Sequence, residues 1–146
     1  MRRCAASFDT AAFRLEGDES MTTRIISTPN APAAIGPYSQ GVADAQTLYC
    51  SGQIGLDPAT GSLAEGFEAQ ARRAFSNLKA VIEAAGGKLP GVMKLTIFLV
   101  DMNDFPKVNE IMCEYFSAPY PARSCFAVAA LPKGALVEVE AVVSLG

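Results

Sequence analysis

FEAQARRAFSNLKAVIEAAGGKLPGVMKLTIFLVD, residues 67–101, contains the change of hydrophobic period that decides the fold. In its first part Phe67, Ala71, Ala74, Phe75, Leu78, Ile82 and Ala85 recur at helical spacing, which predicts a helix ending at Gly86-Gly87. In its second part, GVMKLTIFLVD (91–101), Leu95, Ile97 and Leu99 alternate with Thr96, Phe98 and Val100, which predicts a buried strand apolar on both faces. Upstream, TLYCSGQIGL (47–56) is β-branched and aromatic enough for a strand and is closed by the turn DPATG (57–61). Before it, RIIS (24–27) is a short strand candidate, and the prolines and glycines of TPNAPAAIGPYSQG (28–41) impose a loop. Downstream, DFPKVNEIMCEYF (104–116) predicts a second helix, with Val108, Ile111, Met112, Tyr115 and Phe116 on one stripe and Pro106 in its first turn. RSCFAVAAL (123–131) and ALVEVEAVVSL (135–145) are two further strands, joined through PKG. This order suits an α+β sandwich with both helices packed on one face of the sheet. The second face then wants a partner, and a closed homo-oligomer supplies one.

Composition points the same way. Half of the 146 residues are hydrophobic and only 18% are charged, lean in charge for one small domain, so part of the apolar surface is expected to be covered by another subunit. No apolar run approaches the roughly 20 residues that span a bilayer. A net charge of −3 supplies no broad positive field for phosphates and argues against a dedicated nucleic-acid binder. Cys4, Cys50, Cys113 and Cys125 lack CxxC spacing, so neither a zinc site nor a disulfide framework is indicated, and free thiols in a reducing, cytoplasmic setting are expected. Histidine is absent, which removes Ser-His-Asp and Cys-His schemes and imidazole metal sites; no metal is expected.

Residues 1–20 differ from the rest, lacking hydrophobic periodicity and stopping before a second methionine, Met21. They contain no apolar core for a secretory peptide, and Asp9, Glu16, Asp18 and Glu19 count against an organelle transit peptide. The expectation is a disordered extension or start-site artefact at 1–20 and a single domain at 21–146.

Within PARSCFAV (121–128) an always-charged Arg123 heads a strand about to be buried. An isolated buried charge costs several kcal/mol, so it needs a partner. One reading is a structural salt bridge to Glu138 or Glu140, which share a face of their strand; the other is a partner that arrives with a ligand.

APAAIGPYSQG, SGQIGLDPATG, NLKAVIEAAGG, FLVDMNDFPKVNE and YPARSCFAVAALPKGALVEVEA together resemble the Rid family of reactive-intermediate deaminases, from about Ile25 to the C-terminus. The resemblance implies a chorismate-mutase-like α+β fold and a homotrimer with clefts between subunits. The implied activity is hydrolysis of 2-aminoacrylate, 2-iminopropanoate and 2-iminobutanoate to 2-keto acids and ammonia, without a cofactor. It implies that Arg123 binds the substrate carboxylate, that Glu138 orients or deprotonates water, and that Ser51 and Tyr38 are polar partners of the amino group or water. It adds Gly52, Asn109 and Cys125 to the binding residues, Cys125 through its backbone. Met112 and Cys113 stand where relatives commonly carry an aromatic, a departure that bears on substrate range.

The residue types suit that chemistry. A planar guanidinium holds a carboxylate through two parallel charge-assisted hydrogen bonds, and an imine carbon is already electrophilic enough for water. Two other readings stand beside the deaminase: a 2-keto-acid-binding or chaperone-like trimer without turnover, and, against the acidic charge, a ribonuclease that inhibits translation.

Overall fold

In the computed structural model, Phe13–Arg14 and residues 22–146 are described. The strands are β1 (Phe13–Arg14), β2 (Thr22–Ile26), β3 (Gly41–Ala43), β4 (Thr47–Ile54), β5 (Val92–Leu99), β6 (Ala122–Ala127) and β7 (Val137–Ser144). The helices are α1 (Phe67–Ala84) and α2 (Phe105–Tyr115). Apart from β1, which pairs antiparallel with β2, the expectation for residues 1–20 lies outside the described residues.

The strands form one sheet in the order β1-β2-β3-β4-β7-β5-β6. All neighbours are antiparallel except β5 and β6, which run parallel because α2 carries the chain back between them. Leu48 and Cys50 of β4, Leu95, Ile97 and Leu99 of β5, and Val137, Val139, Ala141 and Val143 of β7 are buried in one core with Ala71, Ala74, Phe75, Leu78, Val81 and Ile82 of α1 and Val108, Ile111 and Met112 of α2. Both helices therefore cover one face, as the sequence predicts. The opposite face carries Tyr49, Lys94, Thr96, Phe98, Ser124, Phe126, Glu138, Glu140 and Val142, at alternate strand positions; Tyr49 is 60% and Phe126 45% exposed.

The helix stop at Gly86-Gly87 has a structural cause. Gly86 takes φ 86°, the Gly86 N–H donates to the Glu83 carbonyl and the Gly87 N–H to the Ile82 carbonyl, closing the last turn of α1 with a left-handed glycine. Two strand expectations are corrected. The three-residue β3 was too short for a periodic signal inside the segment assigned to loop and its exit. Strand β6 ends at Ala127 rather than Leu131, because the Val128 N–H still donates to Leu99 while β5, its only sheet neighbour among the described residues, ends at that residue.

Candidate active site

One cluster forms where β4 is irregular. Cys50 pairs with Ala141 and Gln53 with Val139, so Ser51 and Gly52 occupy a β-bulge opposite Glu140. Ser51 is turned toward the loop before β3: its N–H donates to the Gln40 carbonyl at 2.9 Å and its hydroxyl to the Ser39 carbonyl at 2.5 Å. Gly52 lies directly against Glu138, whose carboxylate occupies the space a Cβ at Gly52 would need. Only glycine lets that carboxylate approach the bulged backbone. These residues and Tyr38 line a cleft of about 620 Å³ whose walls also include Pro32, Ile35, Asp57, Lys133 and Glu140.

Glu138 is half-buried and titrates above the usual carboxylate range, first because burial disfavours its charge and second because Glu140 repels it. The ion pairs among the described residues include neither Glu138 nor Glu140. A carboxylate with a raised pKa in a cleft, free of a cation, is suited to taking and returning a proton.

Arg123 lies elsewhere. It pairs with Leu95 in the β5–β6 ladder, so its side chain leaves the sheet on the helix-covered face. There it donates to Asn109 Oδ1 at 2.5 Å, approaches Met112 Sδ at 3.6 Å, and stacks over the Phe105 ring with its central carbon 5.3 Å from the ring centroid. The salt-bridge reading of Arg123 does not hold within the chain: Glu138 pairs with Phe98, on the other face of the sheet, and no ion pair to Arg123 occurs among the described residues. Cys125, two residues along β6, has its thiol pushed up by burial, although the Arg123 charge pulls it down. A thiol held protonated is a poor nucleophile.

The chain thus brings Tyr38, Ser51, Gly52 and Glu138 together, and separately Arg123, Asn109 and Cys125. Residues that pattern reasoning did not single out are Gln40, which is 3% exposed, the cleft-lining Ile35 and Lys133, and Phe105 beneath Arg123. Phe105 opens a helix and reads from sequence as core, while Gln40 sits in a loop where an amide carries no periodic signal.

A family model described as endoribonuclease L-PSP matches residues 28–145. The chain belongs to that family, the Rid family. This Rid chain is 51% identical over 121 residues to the 2-iminobutanoate/2-iminopropanoate deaminase of Dermatophagoides farinae, covering 82% of this chain and 94% of the relative. Its fold matches the crystal structure of RidA from the Antarctic bacterium Psychrobacter sp. with a TM-score of 0.80 and 51% identity, over 82% of this chain and 97% of that one. It matches E. coli TdcF with bound serine at a TM-score of 0.80 and 43% identity, over 82% and 97% of the two chains. The α+β architecture with helices on one face is therefore the Rid fold. No described helix is long and apolar enough to cross a membrane.

Proposed function

We propose that this Rid chain hydrolyses small enamine and imine carboxylates, 2-aminoacrylate, 2-iminopropanoate and 2-iminobutanoate, to 2-keto acids and ammonia, in clefts between the subunits of a homotrimer. The observation that carries the reading is Arg123, a guanidinium aimed by Asn109 and Phe105 and lacking a carboxylate partner among the described residues. A substrate carboxylate supplies that partner. The deaminase name of a half-identical relative and the serine bound by TdcF, itself a small amino carboxylate, support the same substrate class. Free thiols at Cys50, Cys113 and Cys125 fit a reducing compartment, and we place the reaction in the cytoplasm.

Arg123 and Glu138 leave opposite faces of one sheet, so the composite cleft takes Arg123, Asn109 and Cys125 from one subunit and Tyr38, Ser51, Gly52 and Glu138 from its neighbour. An enamine first gains a proton at its terminal carbon while its nitrogen gives one up, which makes the imine. Water then adds to the C=N carbon, one water proton passing to Glu138 while the nitrogen gains one. In the resulting carbinolamine the hydroxyl proton leaves, the nitrogen is protonated, the C–N bond breaks, and ketone and ammonia separate. Ser51 and Tyr38 place water or the amino group, and positioned proton transfer of this kind is worth about 10²–10⁴-fold.

The test uses freshly generated 2-iminopropanoate. Accelerated release of pyruvate and ammonia is expected. Saturable binding without acceleration would replace the enzyme by a 2-keto-acid-binding module. Cleavage of RNA that survives Arg123→Lys would replace it by a ribonuclease.

A further inference from the structure

The loop from Ser27 to Gln40 has no regular structure, yet Pro32, Ala33, Ile35 and Tyr38 form one wall of the cleft. One buried side chain holds it. The Gln40 amide oxygen accepts the Thr28 N–H at 2.7 Å. Its nitrogen shares two protons among the carbonyls of Pro32 at 2.8 Å, Thr28 at 3.1 Å and Ala31 at 3.3 Å. Gln40 itself is 3% exposed, which shields its amide from water, and these bonds replace the ladder that three prolines deny the loop.

Gln40 also reaches the opposite wall. Its own carbonyl accepts the Ser51 N–H, and the adjacent Ser39 carbonyl accepts the Ser51 hydroxyl. Ser51 opens the bulge whose next residue, Gly52, packs against Glu138. A continuous chain of hydrogen bonds and contacts therefore runs from the Thr28–Pro32 backbone through Gln40 to Ser51, Gly52 and Glu138, with Tyr38 two residues from its centre.

We propose that Gln40 is a positioning residue of the cleft: its buried amide sets the spacing between the Tyr38 wall and the Ser51–Glu138 wall without touching substrate. The proposal rests on the deaminase reading for its kinetic consequence. Misplacing reacting groups by about 1 Å costs up to about 10²-fold, so loosening this anchor should act on turnover more than on folding.

Gln40→Met keeps the volume and removes the amide. Two quantities are read on the full chain, backbone hydrogen exchange by peptide and kcat/KM on 2-iminopropanoate, with Val143→Ala as a core variant far from the cleft. Exchange across residues 28–39 should quicken about tenfold while α1 and β7 keep their protection. For the same variant kcat/KM should fall about 10- to 100-fold, chiefly in kcat, while Val143→Ala lowers Tm and leaves kcat/KM unchanged. Unaltered exchange in 28–39, or a loosened loop with wild-type kcat/KM, overturns the proposal. If Gln40→Met does not fold, Gln40→Glu keeps the shape, loses the paired donors, and is judged by the same two outcomes. A wild-type chain without imine hydrolysis refutes the deaminase reading instead, and the exchange measurement still decides whether Gln40 anchors the wall.

Discussion

Arg123 is set up as a fork rather than as a charge. Its contacts with Asn109 and Phe105 fix the plane of the guanidinium, a geometry lysine lacks. Arg123→Lys should therefore lower kcat/KM by about 10- to 150-fold, the equivalent of one charge-assisted hydrogen bond worth roughly 1.5–3 kcal/mol, with circular dichroism and Tm near wild type. A structural role would show the reverse pattern, normal kinetics and a depressed Tm. Glu138 gives a second test with a definite sign. Its folded pKa is raised above the ordinary 4.5, so the folded state binds its proton more tightly than the unfolded state, and its contribution to stability is lost as pH rises through the folded value. Glu138→Gln should raise Tm at pH 7 to 8, the gain should shrink as pH drops below 4.5, and hydrolysis should fall by about 10²-fold or more. A Tm difference independent of pH would show that the carboxylate is not desolvated. Arg123 was visible in sequence because a charge at the head of a buried strand breaks a pattern; Glu138 alternates with valines just as Glu140 does, and only the resemblance chose between them; Gln40 was not visible, because a loop has no pattern to break.

At the scale of elements, buried amides tie α1 to the end of β4 and to the approach to β7. Asn77 of α1, 1% exposed, donates to the carbonyls of Ile54 and Leu56 at 3.1 and 2.8 Å, and Gln70 accepts the Leu136 N–H at 2.8 Å ahead of β7. Asn77→Ala leaves the buried Leu56 carbonyl without its donor, while the Ile54 carbonyl keeps the Leu56 N–H, and should cost about 1–3 kcal/mol, measured as a lower urea midpoint with unchanged slope. A midpoint within error of wild type would mean that water replaces the amide. By contrast, Arg72 joins α1 to Glu114 of α2 at 2.8 Å on the surface, with both side chains nearly half exposed; solvent screens such a pair, and Arg72→Ala should leave the urea midpoint close to wild type. The helices were legible in sequence because their apolar stripes repeat over several turns. Strand β3 and the bulge were not, since three residues carry no period and a bulge is defined only against the partner strand.

The whole molecule presents an unfinished site and an unfinished surface. Ile35 is 74% and Tyr38 49% exposed beside the cleft, and Tyr49 and Phe126 stand on the open face of the sheet, an amount of aromatic and aliphatic exposure that a second copy would cover. If each cleft takes Arg123 from one subunit and Glu138 from the next, two inactive variants should complement. Arg123→Lys and Glu138→Gln, unfolded together and refolded as mixed trimers, should regain about a quarter of wild-type activity, the share of clefts in a closed ring that combine both intact residues. No recovery in demonstrably mixed oligomers would place both residues in a cleft of one chain or disqualify one of them. The sequence by itself determined the order of the longer strands and the helices, the single covered face and the family, because these depend on local period and on short blocks whose spacing survives in one dimension. Only the tertiary structure decided that Arg123 and Glu138 leave opposite faces, that Glu138 lies on Gly52, and that a loop glutamine joins the two walls. Each of these depends on strand register, and one residue of register, such as the bulge at Ser51–Gly52 adds, turns a side chain from one face of a sheet to the other.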